Sequence, residues 1–189
     1  MNLPSPPLLV ISDRSQAQRP LLEIAVAAFA GGCRWFSLRE KDLPPGERRA
    51  LLAELVALGA RHGAIVTVHD DIDAVAAAGA AGLHLPSGSD PAAARARLPG
   101  RLIGASAHSA AEAASLIAAG ADYVTVSPVF LTDSKPGYGP ALGLDGLAAA
   151  VAATEGPVIA LAGIAVMGEV MRAADPETVV RALVAAIVS

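Results

Sequence analysis

The sequence repeats one pattern, in which a short apolar run is followed by a stretch rich in alanine and leucine. Six runs are followed in this way, a seventh run covers Pro157–Ile164, and the letters AVMG at 165–168 are typical of the end of an eighth. Apolar runs that alternate with helical stretches predict a parallel sheet covered on both faces. No GxGxxG motif follows the first run, which disfavours an open dinucleotide-binding sheet. The pattern therefore predicts one (β/α)8 TIM-barrel domain over residues 1–189.

One unit of this pattern is incomplete. The seventh and eighth runs adjoin at Ile164 and Ala165, although parallel neighbours need a crossover of at least about ten residues. We therefore expect a barrel that lacks the helix between strands 7 and 8. Two explanations are open: the sequence as it stands omits a crossover that the protein has, or the protein has a true deletion. We favour the first, because deleting a barrel helix exposes apolar sheet surface.

Composition excludes several classes of protein. The formal net charge of −4 argues against nucleic acid as a partner. Cys33 is the single cysteine, so neither a disulfide framework nor a cysteine-rich metal site is expected. The first apolar run has no basic segment before it, and no apolar run reaches the roughly 18 residues of a membrane span. We expect a cytoplasmic protein that acts on small molecules without membrane partners, and the oligomeric state stays open.

Polar side chains collect where the predicted strands end. In a barrel of this type the reactive residues lie at the carboxyl ends of the strands. Cations and hydroxyl groups at one such edge suit a phosphorylated ligand, since both donate to phosphate oxygens. Gly163 and Gly168 are candidates for backbone N–H donors to the phosphate. The candidate residues at these positions are Arg39, Lys41, His69, Asp70, His84, Asp90, Ser106, His108, Thr132, Ser134 and Lys135.

Each candidate also has a plainer interpretation. Arg39 and Lys41 are also typical of a solvated strand end. His84 lies between two leucines, as a core histidine with satisfied hydrogen bonds would. His108 precedes a serine and is placed to help cap the next helix. Residues 132–139 have the composition of a loop that covers a barrel mouth.

With these motifs placed, the chain resembles the thiamine phosphate synthase/thiazole tautomerase family. The likeness extends from about Leu8 to the C-terminus, and its strongest motifs stand in order at predicted strand ends. They are SLREKD, GLHLPSGS, IGASAHS, GADYVTVSPVFLTDSKPG and PVIALAGI. The resemblance implies a (β/α)8 barrel that binds the phosphate of a hydroxyethylthiazole phosphate. In the synthase branch it also implies a pyrimidine pyrophosphate substrate and Mg²⁺.

The resemblance assigns roles by position. Arg39 and Lys41 match the synthase contacts to pyrophosphate, and Asp70 matches its first Mg²⁺ carboxylate. Three departures from the synthase pattern are Ser37 in place of Gln, His69 in place of Asn, and an LPSGS stretch that leaves Asp90 one residue late for the second carboxylate. The contacts to oxyanions match Ser106, Thr132, Ser134 and Lys135.

The LPSGS stretch is shared with the tautomerase branch, which needs an acid/base and no metal. That branch has its catalytic histidine where this chain has Pro128, so His69, His108 and His84 are the substitute candidates. We therefore expect a thiazole tautomerase-like isomerase without a cofactor. The alternatives are a Mg²⁺-dependent thiamine phosphate synthase, with Asp70 and Asp90 at the metal, and a non-catalytic thiazole phosphate-binding protein.

Overall fold

The structure is a computed structural model that describes residues 3–131, 140–161 and 165–188. It is an α/β fold in which short strands alternate with helices. The strands are β1 (Leu9–Ile11), β2 (Trp35–Leu38), β3 (Ile65–His69), β4 (Gly82–Leu85), β5 (Leu102–Ala107), β6 (Tyr123–Val126), β7 (Val158–Ala160) and β8 (Ala165–Val166). The helices are α1 (Leu21–Ala30), α2 (Pro45–Arg61), α3 (Ile72–Ala78), α4 (Pro91–Arg97), α5 (Ala110–Ala118), α6 (Gly143–Ala152), α7 (Gly168–Met171) and α8 (Pro176–Val188).

The chain forms two compact units. The β4–β7 unit comprises Gly82–Ala165, and the β1–β3 unit comprises the described residues before Gly82 together with those after Ala165. Every strand pair within each unit for which a register is given is parallel. Parallel strands joined through helices are what the alternating pattern predicts. The closed (β/α)8 barrel and the single domain stay predictions.

In the β1–β3 unit, the core is built around the large aromatic side chains. Trp35 and Phe36 of β2 and Phe29 of α1 are fully buried, and the rings of Phe29 and Phe36 meet edge to face at 5.9 Å between centroids. Helix α1 packs closely on α8, since a Cβ at Gly31 would contact the backbone oxygen of Glu177. Strands β1 and β2 pair in parallel, with Ile11 opposite Ser37 at the strand ends.

In the β4–β7 unit, the register aligns three strands around one glycine. Gly104 of β5 lies opposite His84 on one side and Tyr123 on the other. Two residues further along, Ser106 lies opposite Thr125. Because side chains alternate across a strand, all these residues project from the same face of the sheet.

Helix and strand boundaries follow the sequence pattern closely where a cap residue is present. Helix α8 begins at Pro176 after Asp175, whose side chain accepts the N–H of Thr178 at 3.1 Å. Strand β6 ends at Val126, although apolar residues continue to Phe130. The reason is Pro128, which has no N–H for a strand ladder.

No helix in the described part of the chain is long and apolar enough to cross a membrane.

The junction between the last two strands is as short as the sequence indicates. Strand β7 ends at Ala160 and β8 begins at Ala165, so four residues stand where a crossover needs at least about ten. The peptide between Ile164 and Ala165 includes a residue outside the described ranges, and the choice between an omitted segment and a true deletion stays a prediction.

Candidate active site

The ends of β1 and β2 are joined by a buried serine. Ser12 is completely buried, and its Oγ accepts the backbone N–H of Arg39 at 2.8 Å. The backbone N–H of Ser12 in turn donates to the carbonyl of Ser37 at 2.9 Å. These two hydrogen bonds hold the backbone in place where β2 ends and the segment Arg39–Lys41 begins.

Glu40 points inward from this stretch and is only 3% exposed. Both of its carboxylate oxygens accept the backbone N–H of Arg14 at 3.2 Å, and the Arg14 side chain pairs with Glu40 and Asp42. Burial raises the pKa of Glu40, and hydrogen bonds from Ser12 and Arg14 offset this only in part. Arg14 therefore engages the carboxylates of Glu40 and Asp42.

The two cations beside Glu40 are left available. Arg39 is half-buried and Lys41 is exposed. Among the described residues, no carboxylate oxygen lies within 4.0 Å of either side chain's nitrogen atoms. Glu40 is buried between these two more exposed neighbours. An anion that approaches the end of β2 therefore meets two positive charges that form no ion pair with a carboxylate in the described part of the chain, although Asp13 lies near enough to Arg39 to interact with its charge.

The two aspartates after β3 differ in their surroundings. Asp71 is buried, accepts from the Arg48 guanidinium at 2.7 Å and caps α3 through the N–H of Ala74 at 3.0 Å. Burial alone would raise the pKa of Asp71, but the hydrogen bonds from Arg48 and Ala74 outweigh it and hold that pKa below its usual value. Asp70 is exposed, with a backbone φ of 54° in the left-handed region that aspartate tolerates.

Asp70 is thus the carboxylate at this strand end that an approaching cation can reach. In the described ranges, no group of three or more His, Cys, Asp and Glu side chains is arranged to hold a metal ion. Mg²⁺ is commonly bound through one or two carboxylates together with substrate phosphates and waters. The single carboxylate of Asp70 fits that mode, in which the substrate supplies the other ligands. It does not fit a site built from protein ligands alone.

Asp90, predicted as the second metal ligand of a synthase, lies at the N-terminus of α4. Its Oδ1 accepts the N–H of Ala92 at 2.9 Å, and Pro91 occupies the first helical position. This is the ordinary role of an N-cap aspartate. The capping bond explains the position of Asp90 in the sequence without a metal.

A buried hydrogen-bond network crosses three strands of the β4–β7 unit. His84 Nδ1 lies 3.0 Å from the Tyr123 hydroxyl, and His84 Nε2 lies 3.0 Å from Ser106 Oγ and 3.3 Å from Thr125 Oγ1. Gly104 makes the first contact possible, since a Cβ there would overlap the Tyr123 ring. Both ring nitrogens of His84 are thus engaged by hydroxyl groups, which disfavours His84 as a proton shuttle.

His108 lies at the end of β5 and makes two ordered contacts. Its Nδ1 donates to the carbonyl of Ser127 at 2.6 Å, since a carbonyl can only accept, and its backbone N–H donates to Glu112 at 2.7 Å. Ser109 caps α5 by accepting the N–H of Glu112, whose carboxylate also accepts from Ser87. Ser109 and Glu112 have the spacing of a capping box, but the Glu112 carboxylate accepts the backbone N–H of His108 in place of that of Ser109.

The remaining predicted site residues fall into two groups. His69 is half-buried at the end of β3, and Gly168 is the buried first residue of the four-residue helix α7. A Cβ at Gly168 would overlap the Arg172 guanidinium, which is the far end of a flexible and part-exposed side chain that can shift. Thr132, Ser134, Lys135 and Gly163 lie outside the described residues.

Tyr123 and Thr125 are site residues that the sequence analysis did not identify. The signal is present but faint: His84, Gly104 and Tyr123 fall on the same face of three consecutive strands, with a glycine in the middle one. Recognising it requires the strand register, because the partners are 39 and 41 residues from His84 in the chain. Arg14, the partner of Glu40, was missed for the same reason.

Comparison with known proteins gives consistent results. A family model described as thiamine monophosphate synthase matches residues 8–183. A putative thiamine-phosphate synthase of Geobacter sulfurreducens is 44% identical over 160 residues, which cover 83% of this chain and 75% of the relative. The solved structure of a thiamine phosphate pyrophosphorylase from Pyrococcus furiosus is similar with a TM-score of 0.85 at 29% identity, over 96% of each chain.

A second relative is similar over almost the whole chain. The thiamine-phosphate synthase of Roseiflexus sp. strain RS-1 is 36% identical over 199 residues, which cover 95% of this chain and 84% of the relative.

Proposed function

Since this chain belongs to the thiamine monophosphate synthase family, we propose that it is a thiamine phosphate synthase. It joins hydroxymethylpyrimidine pyrophosphate to hydroxyethylthiazole phosphate and releases pyrophosphate. The names of the relatives support the synthase over the tautomerase that the LPSGS stretch favours. The observation that carries the proposal is the pair of cations, Arg39 and Lys41, with no carboxylate partner among the described residues.

The reaction breaks a carbon–oxygen bond, and its electron pair leaves with the pyrophosphate. The thiazole nitrogen then forms the new carbon–nitrogen bond with its lone pair. Negative charge grows on the departing oxygen, so positive groups aimed at that oxygen stabilise the transition state more than the ground state. Arg39 and Lys41 supply those charges. The burial of Glu40 and its contacts with Arg14 keep that carboxylate from neutralising them.

Asp70 is the residue that would hold Mg²⁺, with the pyrophosphate oxygens as further ligands. A bound Mg²⁺ supplies additional neutralisation of the leaving group. Asp71 cannot replace Asp70 in this role because Arg48 and the N-terminus of α3 engage it. Ser106 is assigned to a substrate oxyanion. Thr132, Ser134, Lys135 and Gly163 stay predicted contacts to phosphate oxygens.

The test measures pyrophosphate release from the two substrates with and without Mg²⁺. Arg39→Ala and Lys41→Ala each remove a hydrogen bond to a charged group, which is worth about 1.5–3 kcal/mol, so kcat/KM should fall roughly 10- to 100-fold. Arg61→Ala, which removes an exposed cation from the last turn of α2, is the matched control and should leave kcat/KM unchanged.

Three outcomes would contradict the proposal. Aromatisation of the thiazole without pyrophosphate release would identify a tautomerase. Calorimetric binding of thiazole phosphate with both assays silent would identify a non-catalytic binder. Equal losses of kcat/KM in Arg39→Ala and Arg61→Ala would show that the loss comes from the change in net charge and not from a contact with the substrate.

A further inference from the structure

We propose that His84 is a positioning residue that turns the Ser106 hydroxyl hydrogen outward, toward an oxyanion of the substrate. The network of His84, Tyr123, Ser106 and Thr125 carries this inference, which rests on the proposed function for the identity of that substrate. Of these four residues, His84, Tyr123 and Thr125 are buried and Ser106 is half-exposed at the carboxyl end of β5. Ser106 is therefore the end of the network that a ligand can reach.

The direction of the hydrogen bonds follows from the chemistry of the groups. A neutral imidazole has one N–H and one lone pair. Tyr123 is fully buried, and burial raises the pKa of its hydroxyl above the usual value, so the phenol keeps its proton. A phenol is a stronger donor than an aliphatic alcohol, and the Tyr123 O–H therefore donates to Nδ1 of His84. Nε2 then carries the ring proton.

The two hydroxyl groups at Nε2 support the same direction. Ser106 Oγ and Thr125 Oγ1 both lie within 3.3 Å of that nitrogen. One N–H can be shared between two oxygens in a three-centre bond, whereas one nitrogen lone pair accepts well from a single donor. The Nε2–H tautomer satisfies both contacts together, and the opposite tautomer satisfies one.

The consequence is that the Ser106 hydroxyl donates its hydrogen bond in a defined direction. Because Ser106 Oγ accepts from Nε2–H, its own hydrogen points away from His84. A hydroxyl held in this way donates to atoms that can only accept, such as phosphate and pyrophosphate oxygens. Gly104 is also required for this network, because the absence of a side chain at this position lets the Tyr123 hydroxyl reach across β5 to His84.

The tautomer can be measured without any activity. Two-bond proton–nitrogen correlation spectra of protein with ¹⁵N-labelled histidine distinguish a protonated ring nitrogen from one that carries a lone pair. We expect His84 to be protonated at Nε2 and unprotonated at Nδ1. Tyr123→Phe should perturb this signal, since it removes the donor to Nδ1. Protonation at Nδ1 with an unprotonated Nε2 in the wild-type protein would overturn the proposal.

The functional arm is a double-mutant cycle. Tyr123→Phe keeps the packing of the ring and removes only the hydroxyl, so it is the variant expected to fold, and circular dichroism checks that it does. Losing one neutral hydrogen bond should lower kcat/KM roughly 3- to 10-fold, mainly through kcat. In a Ser106→Ala background the same change should have almost no effect. An equal loss in both backgrounds would overturn the role of His84 through Ser106.

The two proposals fail in different ways. If the wild-type protein releases no pyrophosphate from the paired substrates, the synthase assignment fails. The cycle is then read from calorimetric binding of inorganic pyrophosphate, which Tyr123→Phe should weaken by a similar factor. If the enzyme is active but His84 has the opposite tautomer, the positioning role fails and the synthase assignment stands.

Discussion

Replacing Gly104 with alanine should destabilise the protein strongly. A Cβ at this position would lie less than 3.0 Å from Cζ, Cε1 and Oη of Tyr123, a ring that is fully buried. Overpacking of a well-filled site costs about 1–3 kcal/mol. Displacing the Tyr123 hydroxyl from His84 leaves buried polar groups poorly paired, at a further cost of about 1–3 kcal/mol. We expect a loss of about 2–4 kcal/mol, because the ring can shift to relieve part of the overlap.

Urea unfolding followed by circular dichroism is the assay. With a slope of about 2 kcal/mol per molar urea, the midpoint should fall by roughly 1–2 M while the slope stays constant. Gly46→Ala is the matched control, since nothing lies within 4 Å of a Cβ at that position of α2. The control should be neutral or stabilise slightly, because alanine favours helix.

A second background separates the clash from other effects of alanine at residue 104. In Tyr123→Leu the ring atoms that the new Cβ would meet are gone, so Gly104→Ala should cost much less there than in the wild-type protein. Equal costs in the two backgrounds would refute the reasoning, because the destabilisation would then not come from the Tyr123 ring.

Two further predictions concern titratable groups of the β1–β3 unit. The pKa of Asp71 lies below its usual value because the hydrogen bonds from Arg48 and Ala74 outweigh the effect of burial. The ion pair with Arg48 therefore stabilises the fold above the usual pKa of an aspartate, and this stabilisation is lost as the pH falls through the lowered pKa. Asp71→Asn should flatten the acid limb of the stability curve measured by urea unfolding, and an unchanged limb would contradict the assignment. Burial raises the pKa of the Cys33 thiol to about 11. Cys33 should therefore not react with a thiol reagent in the native protein at neutral pH, and it should react after unfolding. Rapid labelling of the native protein would contradict the burial of Cys33.

The sequence predicted well those features that neighbours along the chain decide. Alternation of apolar runs with helical stretches located the helices, including α1 and α8, because each period is set within one segment. A cap residue such as Asp175 marks a helix start locally, because the capping bond spans only three residues. The second apolar run also placed Arg39 and Lys41 just after a strand, where the structure has them.

What the sequence by itself determined is therefore the order of the strands and helices and the supply of cations and hydroxyl groups at strand ends. Only the tertiary structure decided which of these groups are available. It shows that Arg14 engages Glu40 and that Arg48 engages Asp71, which leaves Arg39, Lys41 and Asp70 exposed or part-exposed. It also shows His84 bonded to residues 22 to 41 positions away. The physical reason is strand register: hydrogen bonds between side chains of different strands depend on how the strands align, and no local periodicity specifies that alignment.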